Sequence, residues 1–198
     1  MKTLCFLKKW PALIVLLLSA SLVRAQEGPP MEEILLGRPI FLVFRDHVKV
    51  ELKLTDTSLR KIEDAFEGAV QARGAMVSIR LEGDMDLDAM EKKAFGHLTP
   101  AQRDRLYEIW LQKVGAMSIL KPEFAKKLGA SESQVEQARR IGQACVDEMM
   151  ELMASGPDPA KAKEIDRLRE AAEQKITSVL KAEQRKKLET LRGKPFKL

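Results

Sequence analysis

From Thr55 onward the apolar positions of this chain recur at helical spacing. Leu59, Ile62, Phe66 and Ala69 fall at i, i+3, i+7 and i+10, one face of an amphipathic helix. Leu106, Ile109, Trp110, Val114 and Met117 predict a second helix. Val135, Ala138, Gly142, Cys145, Met149 and Leu152 keep the alternating three- and four-residue spacing of a coiled-coil seam, with small residues that let a partner helix approach. Ile165, Leu168, Ala172, Ile176 and Val179 mark a fourth helix. On pattern alone it runs on toward Leu191, where Gly193 and Pro195 stop it. Between the last two, the run Ser155 to Pro159 (SGPDP) breaks the chain, with Asp158 as N-cap and Pro159 at the first helical position. Ile40 to Val50 is rich in β-branched and aromatic residues and could pass for a strand. No second convincing strand accompanies it, so a short helix or an extended N-terminal arm packed on the body is expected. The predicted fold is all-α, with long amphipathic helices in two antiparallel helical hairpins.

The start of the chain follows a different pattern. Pro11 to Val23 is a continuous apolar-rich run behind Lys2, Lys8 and Lys9, and Val23 and Ala25 are small residues of a cleavage site. A membrane-spanning helix needs about 20 apolar residues, and this run is shorter. Residues 1–25 therefore read as a signal peptide cleaved after Ala25. That predicts a periplasmic or secreted protein with no stable membrane anchor after cleavage. Gln26 to Arg38, punctuated by Gly and Pro, reads as a loop or arm.

The leader changes the meaning of the charge. The chain has 34 basic and 29 acidic residues, a formal +5. Lys2, Lys8, Lys9 and Arg24 lie in the leader, which holds no acid; taking those four away leaves 30 against 29. An anionic partner therefore loses its motive, and export disfavours nucleic acid further. Of the two cysteines, Cys5 sits in the leader, so Cys145 is alone and no intramolecular disulfide can form after cleavage. Its apolar, helical surroundings make it a small buried hydrophobe.

Helix-start signals repeat along the chain. Leu98-Thr99-Pro100-Ala101-Gln102 fits a capping box: the Thr hydroxyl accepts from the third helical amide, and Gln reaches back to the cap amide. Ser131 to Gln134 has the same form. Leu54-Thr55 keeps the cap but has Ser58 in place of Gln, and Leu180 to Gln184 keeps Leu and Gln but carries Lys181 at the cap. The separation of Leu98 from Leu180 is nearly that of Thr55 from Ser131. Offsets this similar predict a tandem duplication, with half-repeats of about 40–120 and 121–198 inside one domain spanning 26–198.

A leader followed by a helical body with Leu-Thr-x-x-Gln boxes, best seen at Leu98 to Gln102, resembles the LTxxQ superfamily of Spy- and CpxP-like periplasmic proteins. The resemblance implies a cradle of long helices, usually a homodimer, that binds unfolded clients or envelope proteins without ATP.

Such binding needs only exposed apolar patches flanked by charge. Met76, Met85, Met90, Met117, Met149, Met150 and Met153 supply flexible thioethers for one, Met149 being the best candidate for a core position instead. Phe41, Phe44, Trp110 and Phe124 read as core anchors. No cofactor is expected, and no nucleophile elbow, phosphate loop or dinucleotide turn supports an enzyme. His47 and His97 are the two histidines and neither opens a zinc motif; a zinc-responsive member is a remote alternative. Asp84, Asp86 and Asp88 alternate like a calcium loop, but Ala89 and Phe95 stand where Gly and Glu are required. The rival to a chaperone or envelope-stress accessory is a scaffolding protein that binds one fixed partner or itself.

Overall fold

Trp110 donates its indole N–H to the Leu36 carbonyl at 3.1 Å, and both residues are buried. That bond marks where the described chain begins. The computed structural model describes residues 36–66, 70–73, 76–79, 86–154 and 159–197. The leader, its cleavage position at Ala25, Ala69, Asp84, Met85 and the Asp158 cap lie outside the described residues, as does the side chain of Met76.

Pro39 fixes the backbone dihedral that a helical first turn requires, and Pro39–Phe44 forms a 3-10 run with Ile40, Leu42, Val43 and Phe44 buried. Helix α1 (Asp46–Glu51) follows. The Ile40 to Val50 stretch is therefore helical rather than a strand. Next come α2 (Asp56–Asp64), α3 (Leu87–Phe95) and α4 (Pro100–Val114), then a second 3-10 run over Gly115–Leu120. The chain ends with α5 (Pro122–Leu128), α6 (Glu132–Ala154), α7 (Pro159–Val179) and α8 (Ala182–Leu191). The body is all-α. One small antiparallel ribbon interrupts it, β1 (Val70–Arg73) pairing with β2 (Met76–Ile79) in the register Val70 to Ile79. The sequence signal for it is slight: two short runs separated by Gly74 and Ala75.

Long helices occur in one place. The 23-residue α6 and 21-residue α7 pack along one another, whereas α1 to α4 have 6, 9, 9 and 15 residues. The expected pair of long-helix hairpins thus becomes one long pair and a cluster of short helices. Two boundaries also fall early. The helix through Leu106 ends at Val114 because Gly115 adopts φ 56° and ψ −136°, leaving Met117 in the 3-10 run. The helix through Ile176 stops at Val179 instead of continuing to Leu191, since Lys181 is extended (φ −67°, ψ 159°) and opens α8.

The Gly115–Leu120 run is the hub. All six of its residues are buried, and α4, α5, α6, α7 and α8 pack around it. Fully burying Ile119 or Leu120 contributes about 1.5–3 kcal/mol each. Phe44, Trp110 and Phe124 are buried as anchors, with Phe41 packed partly against them.

Candidate functional site

The repeated boxes are built as the sequence predicts, with graded completeness. Thr99 Oγ1 accepts the Gln102 amide at 3.3 Å, and Gln102 Oε1 accepts the Thr99 amide at 2.9 Å. Ser131 and Gln134 repeat this at 3.3 and 3.0 Å. Thr55 caps Ser58 at 3.1 Å, but the Ser58 side chain is too short to return the bond and meets the Thr55 hydroxyl at 3.0 Å. Lys181 has no acceptor to offer, so only the return half exists there, from the Lys181 amide to Gln184 Oε1 at 2.8 Å. Leu98 and Leu180 are buried beneath their boxes, while Leu54 packs half-buried against the core.

The structure adds that the boxes meet in pairs. With its oxygen spent on its own helix, each Gln turns its NH2 group to another helix start. Gln134 donates to the Val179 carbonyl at 2.8 Å, two positions before Lys181. Gln184 donates to the Gly129 carbonyl at 2.8 Å, two positions before Ser131. The two amides also bond each other at 2.8 and 3.1 Å, and Gln184 is only 7% exposed. Gln102 reaches Leu52 O at 2.8 Å, beside the Thr55 start. Ser58 sends nothing back across that pair. Every donor and acceptor of the Gln134–Gln184 pair is satisfied, so this buried polar crossing fixes one geometry. It staples two helix starts together.

Beyond Met149 on α6 and before Ala172 on α7, the pair overhangs the buried core. No residue from Met150 to Ala154 or from Lys161 to Ala171 is buried. Met149 still faces the core at 4%, whereas Met150 and Met153, further along α6, are 48% and 47% exposed. Leu152, Ile165 and Leu168 are half-buried, the last two packed against the core. The overhang therefore presents two flexible thioethers on a charged helical pair. Among the other methionines, Met117 is buried and Met90 half-buried.

Other candidates resolve into structure. Asp86 accepts the Asp88 and Ala89 amides at 3.1 and 3.0 Å and so caps α3. His47 lies against the Phe196 ring, centroids 5.7 Å apart, and His97 is exposed just beyond α3. Among the described residues, no group of three or more His, Cys, Asp or Glu side chains could hold a metal. Cys145 is buried with Sγ 3.7 Å from Met149 Sδ, and burial pushes its thiol pKa up. No helix among the described residues is long and apolar enough to cross a membrane.

Sequence reasoning gave no hint of the C-terminal strap. Gln112 donates to the Arg192 and Lys194 carbonyls at 2.6 and 2.8 Å and accepts the Phe196 amide at 2.7 Å. Arg105 adds Lys194 O at 2.8 Å while pairing with Glu51 and Glu108. Comparison with known proteins returned no matching family model, no matching curated protein and no matching solved structure.

Proposed function

We propose that this chain is exported through its 1–25 leader and acts in the periplasm by reversible binding, as an ATP-independent chaperone or envelope-stress accessory of the Spy/CpxP type. The observation that carries the reading is the overhang of α6 and α7, where Met150 and Met153 stand exposed among charged neighbours. Polarisable, unbranched side chains adapt to unrelated apolar segments, and the small area on offer keeps each encounter weak enough to end without an energy source.

The test is suppression of aggregation of two unrelated unfolded clients by the purified protein, without nucleotide. Suppression is expected, and changing Met150→Asp together with Met153→Asp should abolish it while leaving the melting temperature unchanged. No suppression at several-fold excess would sink the chaperone reading. It would leave the alternative of a scaffold with one fixed partner, which the regular Val135 to Leu152 seam and the balanced charge favour.

A further inference from the structure

Three methionines fall within little more than one turn near the end of α6, in two environments. Met149 is buried in the core, while Met150 and Met153 leave nearly half of their surface to solvent. The two exposed thioethers stand three positions apart, so they share a face of the helix. Met117, in the hub, is buried like Met149. One residue type therefore has two accessibilities in this chain.

A thioether carries no proton on sulfur, so its lone pair is reactive without the deprotonation that a thiol requires. Access decides which methionine reacts. A buried sulfur meets a reagent only when its surroundings open, whereas Met150 and Met153 meet it in the folded protein.

We propose that Met150 and Met153 are a modification site for small two-electron oxidants of the peroxide class, and that their oxidation withdraws the overhang from clients. The second half rests on the binding function proposed above. The sulfur lone pair takes one oxygen of hydrogen peroxide. The S–O bond forms as the O–O bond breaks, and the other oxygen leaves as water, carrying both protons. Sulfur gives up two electrons and the peroxide is reduced by them. The sulfoxide is polar and accepts hydrogen bonds from water, so a face suited to apolar segments becomes one that holds its hydration. The fold does not follow, because α6 is anchored to the core by Cys145, Val146 and Met149, none of which is exposed.

Brief treatment of the folded protein with hydrogen peroxide, read by tandem mass spectrometry that separates Met149 from Met150, tests the site. Met150 and Met153 should gain oxygen about tenfold faster or more than Met117 and Met149, which react only in locally opened molecules. Equal rates, or Met149 leading, overturn the proposal. Aggregation suppression by the treated protein tests the consequence. Oxidised protein should lose suppression with an unchanged circular dichroism spectrum. Met150→Leu together with Met153→Leu, apolar but without sulfur, should keep it through the same treatment, and this variant leaves every other methionine in place. Suppression that survives oxidation of the pair, or that is lost equally in the Leu variant, overturns the proposed consequence. If the untreated protein never suppresses aggregation, the binding function fails and the consequence with it, while the order of oxidation still decides the modification site.

Discussion

Two glycines with positive φ show how far a residue's meaning depends on its neighbours. Gly129 (φ 69°, ψ 36°) closes α5 in the left-handed conformation, and a Cβ there would meet nothing within 4 Å. Gly115 (φ 56°, ψ −136°) closes α4 in a region open to glycine alone, and a Cβ would collide with Glu173 Oε1. That carboxylate is engaged, accepting the Ala116 amide at 3.2 Å and standing 3.5 Å from Arg192. Gly129→Ala should therefore cost about 1 kcal/mol, the left-handed penalty alone. Gly115→Ala adds strain and a displaced carboxylate and should cost about 3 kcal/mol or more. Chemical denaturation of the two variants checks the order; equal losses would mean Glu173 moves freely. Neither glycine stands out in the apolar spacing, which carries the second helix through Gly115 to Met117. The ψ of Gly115 and the position of Glu173, on the distant helix α7, separate them.

Among elements, the helix starts are where sequence reading succeeded and where it stopped. Capping is a local arrangement, so Thr99, Gln102, Ser131 and Gln134 could be assigned from spacing alone. The crossing of Gln134 and Gln184 joins two distant helix starts, and no local pattern encodes it. The incomplete boxes make a prediction. By analogy with Gln134 and Gln184, Ser58→Gln should cap the Thr55 amide and reach the His97 carbonyl, two positions before Thr99. It should stabilise the fold by about 0.5–1 kcal/mol. Lys181→Thr should contribute a similar amount by supplying the missing cap acceptor. Raised denaturation midpoints are the expected outcome. A loss with Ser58→Gln would show that the first pair of helix starts does not accommodate a second glutamine. The missed break at Leu180 has a related cause: Ile176, Leu180 and Leu191 fit one continuous apolar stripe, and extended Lys181 is set by the Gln184 bond.

For the whole molecule, stability also depends on how the N-terminal segment is tied down. Arg38 bonds Asp88 at 2.7 Å and Glu91 at 2.8 Å, joining the first described residues to α3. Burial pushes the Glu91 carboxyl pKa above its ordinary value, against the opposing pull of Arg38 and Lys121. A carboxyl whose folded pKa is raised takes up protons on folding. Its contribution is therefore fully present below the ordinary carboxylate range and is lost as pH rises through the raised value. Glu91→Gln should flatten the dependence of melting temperature on pH in the weakly acidic range, which calorimetry across that range measures. A slope identical to that of the unchanged protein would remove Glu91 as its source.

Taken by itself, the sequence determined the all-α class, the capped helix starts and the burial of Phe44, Trp110, Phe124 and Cys145, because periodicity and capping act over short stretches of chain. It also located most of the charge excess in residues 1–25. Tertiary structure alone decided that Gly115–Leu120 is the hub, that the boxes cross in pairs, and that Met117 is buried while Met150 and Met153 are exposed. Methionine spacing cannot separate those last cases. Exposure depends on where the body ends beneath a helix, and that is set by residues distant in the chain.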